Sequence, residues 1–198
     1  MMTKKIVLVV DFQTDFLNLE RSKLPIPDSK ELMAPMAEYL MSISREDTAV
    51  VLFTQDWHSK DHVEYMPDGT PFPSHCVEFT PGAEIAVNPT LVDTLLPTYF
   101  LKKNAFDMWE EDSLEVTSEE FDYDRDDFFE DLKAKGFSEV EVVGVALNVC
   151  VNFAVRGLVD RGFVVTVRKD LTKGIDTGNG DYDMVAEKVF EDINVTIV

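Results

Sequence analysis

Apolar residues fall along this chain in short unbroken runs, separated by stretches with helical spacing. Ile6 to Val10, Ala49 to Phe53, Pro97 to Leu101, Val140 to Val145, Phe163 to Val167 and Asn194 to Val198 read as strands. Several show no polar face, the pattern of strands covered on both sides. Between them, helices are predicted from Asp28 or Ser29 to about Ser44, from about Asp126 to Lys135, from Cys150 to Gly162 and from about Asp181 to Phe190, with a short one over Ala83 to Asn88. In the third of these, Val151, Val155, Leu158 and Val159 recur at helical intervals. Strand–helix alternation implies a mainly parallel sheet of about six strands between two helical layers, an α/β/α arrangement in one domain over residues 1–198.

In such sheets ligands bind beyond the carboxyl ends of the strands, so the residues at those ends matter most. Asp11 follows the first run and Lys102-Lys103 follow the third. The stretch Val142 to Asn152 (VVGVALNVCVN) leaves its strand at Gly144 and Val145, offers Asn148 as a helix N-cap, and puts Cys150 in the first helical turn. A thiol there meets backbone N–H groups and the positive end of the helix dipole, which predicts a lowered pKa. Taken singly, the cysteine is more simply a small buried hydrophobe, the lysines solvated surface and Asp11 a loop residue. Together they form a thiol, an ammonium and a carboxylate on one rim, a workable set for acyl transfer.

After the second run, Thr54 to about Pro81 is predicted as a long irregular loop, a length usually kept for function. All three histidines, His58, His62 and His75, lie in it. Asp56 and His58 are two residues apart and can face one side of an extended end, with His75 closing the set. Two imidazoles and a carboxylate suit one divalent transition metal with positions left open: Zn first, with Fe, Mn or Co also compatible. Asp68, His62 and Glu64 are candidates for a fourth ligand.

Charge narrows the partners. The 198 residues carry a formal net charge of −20, which argues against nucleic acid and anionic membrane as partners. Much of it falls in the acidic stretch Asp107 to Asp131, read as an exposed insertion (about 107–127) that forms a solvated flap; shortening residues 110–124 is then expected to leave metal content unchanged. Two cysteines do not make a disulfide framework, and the N-terminal apolar run is too short for a signal peptide or a membrane span, so a soluble, cytoplasmic protein is expected. No phosphate-binding glycine motif and no GxSxG element is present. Oligomeric state stays open, a homo-oligomer included.

With these residues in place, the chain resembles the isochorismatase-like cysteine hydrolases, and within them the nicotinamidases, over nearly its whole length. The resemblance rests on VVDFQTDF at 9–16, TQDWHSKDH at 54–62, FPSHCVEFTPGAE at 72–84, KKNAF at 102–106, GVALNVCVNFA at 144–154 and DLTKGID at 170–176. It implies a Rossmann-like fold and a small amide substrate, nicotinamide, hydrolysed through a thioester in NAD salvage. Cys150 would be the nucleophile, Asp11 the proton carrier and Lys103 its charged partner, with Lys103 favoured over Lys102 by the spacing to Phe106. A cis peptide at Val145-Ala146 would present the N–H groups of Ala146 and Cys150 to the oxyanion. Phe16 and Phe72 would sandwich the ring, and Asp56, His58 and His75 would hold a metal that orients it. Asn148, Leu147 and Phe72 stand where Asp, Thr and Trp are common in the family. The alternatives are a cysteine amidase acting on an N-carbamoyl or ureido compound, a non-catalytic binding module, and a zinc hydrolase in which the metal does the chemistry.

Overall fold

The computed structural model describes residues 4–17, 20–65, 71–175 and 185–198. Its strands are β1 (Lys5–Val10), β2 (Thr48–Asp56), β3 (Thr98–Lys103), β4 (Glu115–Thr117), β5 (Asp122–Asp124), β6 (Glu139–Val145), β7 (Val164–Lys173) and β8 (Thr196–Ile197). They form one sheet in the order β5-β4-β3-β2-β1-β6-β7-β8. The pairings from β3 across to β8 are parallel, and β4 and β5 run antiparallel at one edge. The α-helices are α1 (Met33–Ser42), α2 (Arg125–Ala134), α3 (Cys150–Asp160) and the short α4 (Ala186–Val189).

β1 lies near the centre, and its apolar run is at most 1 % exposed, as an all-apolar sequence demands of a strand covered on both faces. From β1 the chain steps to β2 through α1 in one direction, and from β6 to β7 through α3 in the other. Right-handed crossovers therefore put α1 and α3 on opposite faces. The reversal of direction makes the carboxyl end of β1 a topological switch point, where open α/β sheets form their crevice. α2 shares the α3 side, where Trp109 touches both Phe129 of α2 and the carbonyl of Ala154.

Gly144 permits a close strand approach. A Cβ there would lie 2.0 Å from the Val10 carbonyl oxygen, its φ is +116°, and the β6–β7 register shifts at this point.

Several expectations are corrected. Among the described residues eight strands replace six, because β4 and β5 lie inside the acidic stretch that reads as a loop. Each is three residues long with one inward side chain, Val116 or Tyr123, too little to mark a strand in the sequence. The first helix starts as a single 3-10 turn at Ser29–Leu32, with Asp28 at φ 58° making no side-chain cap. Ala83 to Asn88 is not a helix: 3-10 turns sit on either side, at Pro81–Ala83 and Pro89–Leu91, each begun by a proline. α2 fits expectation, capped by the Asp124 carboxylate, which accepts from the N–H groups of Asp126 and Asp127. Of the last predicted helix, residues 181–184 lie outside the described residues. Among the described residues no helix is long and apolar enough to cross a membrane.

Candidate active site

Four strand ends converge at the switch point. Asp11 leaves β1 in a left-handed conformation, φ 44°, and its N–H bonds to the Thr54 carbonyl at 3.2 Å. The Thr54 hydroxyl donates back to Asp11 Oδ1 at 2.6 Å. Asp56 and Lys103 are register partners at the ends of β2 and β3, so their side chains emerge side by side. Lys103 Nζ pairs with Asp11 Oδ2 at 2.8 Å and with Asp56 Oδ1, donates to the Ala105 carbonyl at 3.1 Å, and lies 3.7 Å from Cys150 Sγ. Strand alternation settles which lysine enters: Lys103 is buried, whereas Lys102 is exposed with Nζ 3.6 Å from the Trp57 ring centre. Acidic atoms of Asp11, Asp56 and the Cys150 sulfur lie within 4.8 Å of one another. The ammonium between them already supplies the counter-charge, which disfavours a cation in that triangle.

Cys150 is the first residue of α3 and is buried, but the expected helix start is corrected in detail. The N-cap position is Val149, without a side-chain cap. Asn148 instead pairs with both the N–H and the C=O of Ile175, each at 2.9 Å. A carboxamide can both donate and accept here, which the more common Asp cannot do when ionised.

The thiolate expectation is also corrected. Burial raises the Cys150 pKa well above its ordinary value, and Asp11 and Asp56 add to the rise against the opposing pull of Lys103. The resting group is thus a thiol that needs a base. Burial likewise raises Asp11, outweighing Lys103, and this makes it a better proton acceptor than an ordinary carboxylate. For Asp56, burial opposes ionisation, but the Lys103 ammonium holds its carboxyl well below the usual range. Lys103 stays charged because Asp11 and Asp56 overcome its burial.

Beside this cluster, four buried polar atoms face one another without a hydrogen-bond partner: Asp56 Oδ2, His58 Nε2, Glu64 Oε2 and His75 Nε2. Each imidazole nitrogen is 3.5–3.7 Å from each of the two carboxylate oxygens. Unpaired buried groups of this kind are costly, and a divalent cation would resolve all four at once. Burial and Asp56 push Glu64 up to about 7. The second ring nitrogens face acceptors, Asn104 Oδ1 at 3.3 Å from His58 Nδ1 and the Pro73 carbonyl at 2.8 Å from His75 Nδ1. Both rings thereby turn an Nε2 lone pair toward the cluster. The donor set fits a divalent metal.

Of the fourth-ligand candidates, Glu64 is brought into the set. His62 stacks flat on His58, with centroids 4.5 Å apart and Nε2 3.8 Å from Glu64 Oε1. Asp68 lies outside the described residues.

Two further residues hold the loop, and sequence reasoning left them without a role. Gln13 clasps the peptide of Asp56: its Oε1 accepts from the Asp56 N–H and its Nε2 donates to the Asp56 and Ala83 carbonyls, all at 2.8 Å. Asp15 accepts from the N–H groups of Cys76 and Lys23, and a Cβ at Gly82 would collide with its carboxylate at 2.1 Å. The available signal was a pair of polar residues two apart, set between the apolar Phe12 and Phe16.

Beside Cys150 lies a narrow pocket lined by Phe16, Phe72, Phe106, Ala146, Leu24 and Ile175 among others. Phe16 and Phe72 both flank His75, at 5.4 and 6.4 Å between ring centroids, so the expected pair lines the pocket and also touches the four-residue cluster. Phe106, which sequence reasoning used only for spacing, meets Phe72 edge-on at 5.3 Å. The Val145-Ala146 peptide is cis, as expected, and Ala146 is buried.

A protein-family model described as the isochorismatase domain matches residues 5–191. The nicotinamidase of Saccharomyces cerevisiae is 23 % identical over 221 residues, covering 98 % of this chain and 99 % of that protein. The nicotinamidase/pyrazinamidase of Mycobacterium tuberculosis is 29 % identical over 178 residues, covering 85 % and 86 %. Among solved structures, the pyrazinamidase of Pyrococcus horikoshii in complex with zinc superposes with a TM-score of 0.72 at 26 % identity, covering 98 % of each chain.

Proposed function

The chain belongs to the isochorismatase family, and from that premise we propose that it is an amidohydrolase converting nicotinamide and water to nicotinic acid and ammonia. The observation that carries this reading is one buried ammonium, Lys103, reaching Asp11, Asp56 and the Cys150 sulfur at the floor of a small aromatic pocket. Further support comes from the relatives named above, whose names specify the same reaction.

In this reading Cys150 Sγ attacks the amide carbonyl carbon while its proton passes to Asp11, whose raised pKa suits it to accept. The backbone N–H groups of Ala146 and Cys150 hold the oxyanion; that of Cys150, opening a helix, has no partner within the helix. Asp11 then gives the proton to the departing nitrogen as the C–N bond breaks, leaving a thioester and ammonia. Water, deprotonated by Asp11, attacks the thioester, the acid leaves, and the proton returns to the thiol. Lys103 keeps its charge throughout and offsets the negative charge that moves between Asp11 and the sulfur. Phe16 and Phe72 hold the ring flat between them.

Asp56, His58, Glu64 and His75 would hold the metal, zinc in the first instance with iron, manganese or cobalt as alternatives, and when bound it supplies a Lewis-acid contact for the ring nitrogen. Cys76 and Cys150 are both free, which accords with a reducing, cytoplasmic setting, and hydrolysis of nicotinamide would serve NAD salvage.

The test is ammonia release from nicotinamide by the purified protein, by a chelator-stripped sample and by Cys150→Ala. Release that disappears on stripping, returns with zinc and is abolished in Cys150→Ala with metal retained is the expected result. Substantial turnover by Cys150→Ala would overturn the thioester route. No release from the metallated protein would overturn the substrate and direct attention to ureido compounds.

A further inference from the structure

An imidazole can bind a metal through Nε2 only if the hydrogen sits on Nδ1, and the neighbour of Nδ1 decides that. For His75 the neighbour is the Pro73 carbonyl, an obligate acceptor fixed in the backbone. For His58 it is the side chain of Asn104, which is exposed and contacts the ring from the segment after β3. Something must keep that amide in place.

The acidic segment does so. The backbone N–H of Asn104 donates to Glu111 Oε2 at 2.8 Å, which anchors the residue that carries the amide. One guanidinium nitrogen of the buried Arg125, at the start of α2, donates to the Glu111 carbonyl at 2.7 Å and the Met108 carbonyl at 2.6 Å. Trp109 between them bonds through Nε1 to the Ala154 carbonyl of α3 at 3.3 Å. Residues 104–111 thus form a strap that leaves β3 at the His58 ring and is fastened to α2 and α3 farther along. Solvation alone does not require a buried arginine on two carbonyls.

We propose that Asn104, held by Glu111, is a positioning residue that fixes His58 in its metal-binding tautomer, and that the acidic segment is a support for the metal site rather than a solvated flap. This rests on the reading of Asp56, His58, Glu64 and His75 as a metal site. Shortening residues 110–124 then costs metal affinity, the reverse of the expectation from sequence.

The experiment is zinc affinity, measured by competition with a chromophoric chelator, for the wild type, Asn104→Leu, Asn104→Asp and Glu111→Ala. Asn104→Leu keeps the side-chain size and loses the acceptor, and zinc binding is expected to weaken about tenfold, the lower end for loss of a ligand's outer partner. Asn104→Asp keeps the acceptor and should bind zinc at least as well as wild type. Glu111→Ala, with Asn104 intact, should fall between the two. Asn104→Leu binding zinc within about threefold of wild type would overturn the proposal, as would an equal loss in Asn104→Asp. Failure of the wild type to bind zinc would instead overturn the metal-site reading itself.

Discussion

At the scale of the residue, charge balance around Lys103 decides most. Asp11 and Asp56 are both fully buried, and one ammonium contacts both. Replacing Lys103 with Met would leave two carboxylates facing each other in low dielectric, a cost of about 3–5 kcal/mol. For a chain of this length that corresponds to a melting temperature lower by roughly 6–20 °C. Calorimetry on Lys103→Met checks this, and a melting temperature within about 2 °C of wild type would show that the carboxylates relax without their cation. The choice of Lys103 over Lys102 was legible in the sequence through the spacing to Phe106. The direction of the Cys150 pKa was not, because the helix position was visible and the full burial that raises the thiol was not.

At the scale of the element, α3 opens with Cys150, the proposed nucleophile, and also receives the strap through Gly157. A Cβ at that position would lie 2.1 Å from Trp109 Cδ1 and Nε1, and the indole is packed between Gly157 and the Arg161 guanidinium 3.8 Å from its ring centre. Gly157→Ala should raise helix propensity by about 0.8–1 kcal/mol, yet overpacking at a site this tight costs about 1–3 kcal/mol. We expect net destabilisation, seen as a lower melting temperature and altered tryptophan fluorescence. A melting temperature at or above wild type would mean the strap shifts without cost. Nothing in the sequence marks this contact, since Trp109 and Gly157 are 48 positions apart by residue number. The end of α2 was legible because Gly136 marks it locally, whereas the Asp124 cap emerged only in the structure.

At the scale of the whole molecule, the net charge of −20 makes the fold self-repelling. Raising monovalent salt from about 10 mM to about 150 mM shortens the Debye length from roughly 30 to 8 Å. The melting temperature should therefore rise with salt, and a fall would show that stabilising surface ion pairs outweigh the repulsion. Arg156–Asp192 and Lys169–Glu187 are such pairs, both partly exposed and individually of little weight.

What the chain determines by itself are the features written locally. Unbroken apolar runs fix the main strands, glycines mark helix ends, and the residues that follow the runs place Asp11, Lys103 and Cys150 on one rim. The histidine-bearing loop falls under the same logic, because a parallel sheet gathers its strand ends whatever lies between them. Tertiary structure alone decided the edge strands β4 and β5, the entry of Glu64 among the fourth-ligand candidates, the clasp of Gln13 on Asp56, and the strap from Arg125 to His58. Each depends on contacts between segments that do not adjoin in sequence. Periodicity records which face a residue turns inward, but it does not record what waits there.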